Sequence, residues 1–359
     1  MIIVVYDTAA ENGGALTVLD SFYQDALLHF QNDIEWHFFV SSNKFQSSGN
    51  ITVHFFKKTN LFRRFLIDRK RIAKIIENLN PDLVISLQNM PITPCKTKQF
   101  VFLHQSLQFC PVKFSLIKKS ERNLALKQRI TCNIYKKFLP AASCIFVQTN
   151  WMRQATSKWL KCDESKIKVV PTKIIQPPSY IEYCGHKKRT FFYPARPQKY
   201  KNHQIVLKAV SILVSKGISD FSVEFTTSNG ENSYANELIK KSAGLPINFI
   251  GPVPFEKIWD KYANSILLFP SYLETCGLPL LEAKYAKSIV IASDLPFSHE
   301  ALNEYDNALF FSHNNPEALA MQMEKVLNGN FKYKNVIAEN SKSVSLVEQM
   351  LFTFLHNLD

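Results

Sequence analysis

From residue 189 onward, short apolar runs alternate with stretches of helical spacing, and that alternation restricts the fold more than any other property of the chain. Phe191–Tyr193, Ser222–Thr226, Ile247–Ile250, Ser265–Pro270 and Ser288–Ala292 have the length and composition of buried strands. Between them lie helical patterns over Asn202–Lys216, Tyr234–Ala243 and Phe255–Ala263, and a fourth after Gly277. Strands that read as continuous apolar runs are covered on both faces, so the alternation predicts parallel sheets flanked by helices. The N-terminal half repeats the theme less regularly. Strands are expected at Met1–Tyr6, Trp36–Val40, Val53–Phe56, Asp82–Leu87, Phe100–Leu103, Ser143–Val147 and Lys168–Val170. Helices are expected over Ala15–Phe30, over Leu61–Leu79 with apolar residues at helical spacing, and from Thr149 or Asn150 onward. A Pro-bearing run to Lys188 reads as a linker. With 359 residues, the chain has room for two domains, expected at 1–185 and 186–342, followed by an amphipathic helix in 343–359.

The stretch SYLETCGLPLLEAKYAKSIVIASD (Ser271–Asp294) carries most of the chemistry. Glu274 precedes a helix that starts near Gly277 and Pro279, and Glu282 lies on that helix. Pro costs no hydrogen bond in a first turn. Between the two carboxylates is a helix start with unpaired N–H groups, a favourable place for phosphate. A ligand with polar ends and phosphates between them fits this spacing: a sugar at Glu274, a diphosphate at the helix start, a ribose at Glu282. For an isolated Glu pair a capped, solvent-facing helix would explain as much. The full string Ser-x2-Glu-x-Cys-Gly-x-Pro-x2-Glu-Ala is far more specific.

SYLETCGLPLLEA resembles the Glu-x7-Glu signature of the family 4 glycosyltransferases, retaining enzymes of the GT-B fold. The resemblance extends through YPARPQKYKNHQ, GPVPFEKIWDKYANSILLFPS, SDLPFSHEAL and YDNALFFSHNNPEALA, and is looser in the N-terminal half. Cys276 departs from it, since many relatives carry an aromatic residue or Gly there. The resemblance implies an α/β architecture of two Rossmann-like domains facing across a cleft, with the last helix crossing back to the first domain. It implies a nucleotide-sugar donor held through Gly13, Gly14, Arg196, Lys201, Val253, Glu274, Cys276, Gly277, Leu278 and Glu282; a UDP-sugar is favoured over a GDP-sugar, though the side chains there say little about the base. Arg196 and Lys201 would grip the diphosphate, His104 would lie by the donor sugar, and Val253 would sit where relatives hold the base through backbone groups. His104, Arg196, Lys201 and Glu274 would act in catalysis. Taken alone, Gly13-Gly14 reads as a turn, a lone His is more often structural, and Ser298, His299 and Glu300 read as helix-capping residues.

Several other classes are excluded or disfavoured. Seven scattered cysteines with no Cys-x2-Cys pair argue against a disulfide framework and a zinc site. No Asp-x-Asp pair is present, so the expected enzyme uses no metal and no cofactor. The Gly-x-Gly-x2-Gly spacing of a dinucleotide fold is missing too. No apolar run reaches the length of a spanning helix, and the N-terminus lacks a secretory leader.

Net charge is +13, and Ile51–Pro140 alone holds 18 Lys and Arg against 4 Asp and Glu. In FFKKTNLFRRF and in Val112–Arg129 these cations interleave with Phe and Leu. An anionic membrane surface, met peripherally from the cytoplasmic side, and a lipid-linked glycan acceptor are the expected partners. A nucleic-acid-binding protein would also be basic, but no recognition motif supports it. A GT-B sugar-nucleotide epimerase is the alternative within the fold.

Overall fold

The computed structural model describes residues 1–11, 13–29, 33–57, 67–118, 120–172, 174, 177–178, 181–185, 189–335 and 345–356. It resolves into two compact units. The first comprises Met1–Gln108, Gln128–Lys173 and Ser343–Asp359; the second comprises Phe109–Lys127 and Ile174–Lys342.

The first unit is built on a seven-stranded parallel sheet: β1 (Ile2–Asp7), β2 (Glu35–Val40), β3 (Ile51–Phe55), β4 (Leu83–Ser86), β5 (Gln99–Phe102), β6 (Cys144–Val147) and β7 (Ile167–Val169). The spatial order is β3-β2-β1-β4-β5-β6-β7. β1 therefore has β2 on one side and β4 on the other, with Val5 opposite both Phe38 and Ile85. Its residues Ile3–Tyr6 are fully buried, as a strand covered on both faces requires. Helix α1 (Gly13–His29) lays Leu19, Phe22, Tyr23 and Ala26 on one face of the sheet. The other face is closed by Ile72, Ala73 and Ile76 around helix α2 (Ala73–Leu79). The front of the basic aromatic segment lies outside the described residues, at 58–66.

The last described helix, Leu346–Leu355, completes the core beside α1. Val347, Met350, Leu351 and Phe354 are all buried there. Its start is a full capping box: Ser345 accepts from the Glu348 N–H and Glu348 accepts from the Ser345 N–H.

The second unit has six parallel strands: β8 (Thr190–Tyr193), β9 (Ser222–Phe225), β10 (Ile247–Phe249), β11 (Ile266–Phe269), β12 (Val290–Ser293) and β13 (Ala308–Phe311), in the order β10-β9-β8-β11-β12-β13. The expected helices are found at His203–Ser215, Ser233–Lys241, Phe255–Ala263 and Leu278–Tyr285. One expectation is overturned. Ser298, His299 and Glu300 do not cap a helix start, because the helix Pro296–Ala301 begins earlier, with Leu295 as N-cap residue and no side-chain cap bond. Ser298 is instead buried, and His299 pairs with Asp294 at 2.5 Å.

In each sheet the strand order reverses beside the first strand, between β1 and β4 and between β8 and β11. Open α/β sheets bind ligands beyond the carboxyl ends of strands at such switch points. Among the described residues no helix is long and apolar enough to cross a membrane.

Candidate active site

At the β8/β11 switch point two loops are stitched together. The first, after β8, ends in a tight turn at Lys199–Lys201, followed by Asn202 in the left-handed region (φ 60°). The Asn202 amide donates to the carbonyls of Pro270 (3.2 Å) and His313 (2.8 Å). Tyr272 N–H and Ser271 Oγ both donate to the Tyr200 carbonyl, at 3.0 and 3.2 Å. Beneath them the buried Tyr193 hydroxyl donates to the Lys201 carbonyl at 2.8 Å. These bonds leave little freedom for the side chains the loops carry. Lys201 Nζ lies 2.6 Å from Glu274 Oε1, with side chains only 18% and 14% exposed. Burial pulls the Lys201 ammonium towards neutrality, but the Glu274 carboxylate and the Tyr200 phenol outweigh it and raise its pKa. Lys201 is therefore a charged group held inside the site.

The Glu274 loop runs into the helix Leu278–Tyr285 through Gly277, its N-cap residue, at φ 66°. The left-handed region excludes most side chains there. A Cβ at this position would also stand 3.0 Å from Leu280 Cδ1, leaving little room. Gly277→Ala is accordingly expected to cost about 1–2 kcal/mol of stability, read by chemical denaturation; an unchanged midpoint would show that the turn relaxes freely. Cys276 is buried at the turn and Leu278 is exposed.

Four residues along the helix, Glu282 accepts a 2.6 Å bond from the buried Tyr262 hydroxyl. Burial raises the Glu282 pKa, with the Tyr262 bond acting against it. Tyr262 was not picked out by sequence reading. Nothing in the helix FEKIWDKYA marks its hydroxyl as the partner of a carboxylate twenty residues on.

Beyond the ends of β8, β9 and β10 opens a cavity of about 710 Å³ whose walls include Arg196, Thr226, Ser228, Glu231, Pro252 and Val253. Its size suits a small-molecule ligand. Arg196 is exposed, and among the described residues its guanidinium has no hydrogen-bond or ion-pair partner. Thus Arg196 and Val253 share one cavity, Lys201 and Glu274 form one ion pair, and Cys276, Gly277, Leu278 and Glu282 lie along one helix start. Among the described residues no three His, Cys, Asp or Glu side chains converge as a metal-binding group.

The remaining candidates belong to the first unit, at the carboxyl ends of β1 and β5. Gly13 opens α1 at φ 63°, and neither it nor Gly14 has an atom within 4 Å of where a Cβ would stand. Gly13 is thus required for its backbone angle rather than for space. His104 follows β5; its backbone N–H donates to Asn89 Oδ1 at 2.8 Å, and its ring stacks on Phe102. Burial depresses its pKa to about 4, against a hydrogen bond to the Leu87 backbone that raises it. At neutral pH the imidazole is uncharged, able to hydrogen-bond but not to act as a cation.

Burial also depresses His203, at the centre of an aromatic cluster of Tyr193, Phe225 and Tyr234, to about 3. Both groups stay neutral in the folded chain where the unfolded chain takes up protons. Their contribution to stability is intact above about pH 6.5 and is lost as pH falls towards 4, by roughly 1.4 kcal/mol per pH unit for each. Urea titrations from pH 7 to 4 are expected to show this decline, and His203→Phe should flatten it. An equally steep decline in the variant would exclude His203 as a source.

Comparison with known proteins bears on the second half of the chain and on the fold. Residues 184–344 match the family model described as "Glycosyl transferases group 1". A comparison with curated proteins finds no significant match. Among solved structures the fold resembles sucrose-phosphate synthase from Thermosynechococcus elongatus, at 15% identity and TM-score 0.64, covering 91% of this chain and 89% of that one. It also resembles the lipopolysaccharide outer core galactosyltransferase WaaB (16% identity, TM-score 0.61, 93% and 92% covered). A third likeness is Anabaena HepE in complex with UDP and glucose (15% identity, TM-score 0.60, 92% and 90% covered). The second half of the chain thus matches a glycosyltransferase group 1 domain, and the fold is one of two parallel-sheet, Rossmann-like domains.

Proposed function

We propose that the protein transfers a sugar from a UDP-sugar to a lipid-linked glycan acceptor in polysaccharide or lipopolysaccharide synthesis, with retention of anomeric configuration and without a metal. The observation that carries this reading is the Lys201–Glu274 pair at the β8/β11 switch point, beside a helix start and the Arg196 cavity. HepE, similar in fold, binds UDP and glucose. Here the uridine would occupy the Arg196–Val253 cavity and the ribose would meet Glu282. Arg196, Lys201 and the N–H groups after Gly277 would take the charge that builds on the departing diphosphate. Glu274 would hold the sugar hydroxyls. The C1–phosphate oxygen bond breaks as the acceptor oxygen bonds to C1 on the same face. The acceptor proton passes to the leaving phosphate oxygen, so no protein nucleophile is required.

The test is a panel of UDP- and GDP-sugars incubated in EDTA with a lipid-linked acceptor extract, followed by NMR of the products. A UDP-sugar turned over to an anomerically retained glycoside supports the proposal. Turnover that requires added manganese, inversion at C1, or epimerisation without acceptor each sinks a stated part of it.

Attachment to an anionic membrane is part of the same proposal. The described part of the basic run exposes Leu116 and Ile117, the latter 88% exposed, between Lys113 and Lys118. Each Lys or Arg near an anionic lipid surface adds about 1 kcal/mol, weakened by salt. The chain should therefore sediment with anionic vesicles, release in high salt and ignore neutral ones. Reversing Lys57, Lys58, Arg63 and Arg64 to Glu should abolish sedimentation; pelleting unchanged by these reversals would refute the assignment.

A further inference from the structure

A second cavity of the second unit, about 400 Å³ in volume, is lined in part by residues of the same stitched loops. Asn202, the neighbour of Lys201, and Tyr272, two residues before Glu274, both line it, with Lys208, His313, Asn314 and Pro111 among the other walls. Its chemistry differs from that of the Arg196 cavity. Tyr272 and His313 present two rings 6.1 Å apart and inclined at 49°. Phe114 packs on Tyr272 with centroids 6.5 Å apart. Among the described residues the Tyr272 hydroxyl, the His313 ring nitrogens and the Lys208 ammonium have no hydrogen-bond or ion-pair partner. Asn314 accepts from Ser312 through Oδ1, leaving its NH2 to donate.

No carboxylate is among the residues lining the cavity, although the charge of Glu121 reaches the Tyr272 hydroxyl from outside it. Burial lowers the His313 pKa and holds the ring neutral. It also raises that of the Tyr272 hydroxyl, which remains a donor. A lone exposed lysine is a poor match for a diphosphate, which is normally met by several charge-assisted donors. What remains is a small cavity with aromatic faces for C–H surfaces and neutral donors and acceptors for hydroxyls. Those are the requirements of an uncharged sugar ring.

We infer that this cavity is an acceptor subsite, which holds one neutral sugar unit of the glycan being extended against the exposed edges and faces of the Tyr272 and His313 rings. The inference rests on the glycosyl-transfer reading above and adds where, on the donor-binding unit, the acceptor glycan is gripped. Both sugar sites then draw on the loops Tyr272–Glu274 and Lys201–Asn202, so that acceptor recognition and the donor-side ion pair share one piece of backbone.

The test uses the full-length protein saturated with UDP and a panel of α- and β-methyl glycosides of glucose, galactose, N-acetylglucosamine and rhamnose, observed by saturation-transfer difference NMR. At least one glycoside is expected to show saturation transfer, reduced fivefold or more in both Tyr272→Phe and His313→Ala. Tyr272→Phe keeps the packing on Phe114 and removes only the hydroxyl, so a fold defect does not account for its loss. UDP affinity, measured separately by calorimetry, should stay within twofold of wild type in both variants. The inference is overturned if no glycoside shows transfer, if signals persist equally in both variants, or if they are lost only in Glu274→Gln, which would place the glycoside in the donor sugar site. Failure of UDP itself to bind would count against the donor reading, while the glycoside signals would still decide this one.

Discussion

Glu274→Gln is expected to lower turnover by two to three orders of magnitude while leaving affinity for free UDP within a few fold. The substitution keeps shape and removes charge, and the partner proposed for Glu274 is the sugar, not the nucleotide. Losing a preorganised group of this kind typically costs on the order of 10²–10³ in rate. The Lys201 ammonium sets the lower bound on the damage. It is 2.6 Å from Glu274 in a largely buried position, and the amide that replaces the carboxylate does not neutralise it. Single-turnover rates and calorimetry with UDP separate the two effects. A variant that keeps most of its rate would place Glu274 outside the chemistry.

The second large effect is expected at the cations. Arg196→Ala and Lys201→Ala should each weaken UDP binding tenfold or more, since charge-assisted bonds contribute about 1.5–3 kcal/mol each. The two should differ in kind. Arg196 is exposed and unpartnered among the described residues, so its loss should leave thermal stability unchanged. Lys201→Ala leaves a buried carboxylate uncompensated, an arrangement that commonly costs 3–5 kcal/mol when a buried pair is broken. The double variant Lys201→Ala/Glu274→Gln should recover part of that stability, with an interaction energy of about 0.5–3 kcal/mol in the cycle. Additive stabilities would show that the 2.6 Å contact contributes nothing. Unchanged UDP affinity in both single variants would remove them from the site.

Much of this site was legible in the chain because loops in a parallel sheet are short and their positions follow from the strands. Once Phe191–Tyr193 and Ser265–Pro270 read as strands, Arg196, Lys201 and Glu274 had to emerge at carboxyl ends. That these ends are adjacent depends on the order β8-β11, and no local pattern encodes strand order; the resemblance to known glycosyltransferases supplied it. Partners across space were illegible. The Lys201–Glu274 contact joins residues 73 apart, and the Asn202 amide reaches carbonyls 68 and 111 residues away. Asn202 read only as the first residue of a helix, whereas the structure sets it before that helix in the left-handed region, its amide tied to the Pro270 and His313 carbonyls. Ser298 illustrates the opposite error. A serine among polar neighbours looked like a cap, but the Pro at position 296 had already started the helix, and burial took the hydroxyl inside.

The position of the last helix sets the order in which the molecule is finished. Val347, Met350, Leu351 and Phe354 fill the groove beside α1, yet the ribosome adds them only after the whole of Ile174–Lys342. At ordinary elongation rates that intervening stretch takes on the order of 10–30 s to emerge. Throughout that interval the first sheet has its strands but lacks one wall of its core, with Phe22 and Phe100 open to any apolar segment nearby. The second unit, continuous apart from Phe109–Lys127, can close first. The half of the protein synthesised first thus waits on a helix made after the second unit, and the groove beside α1 must stay empty until that helix arrives.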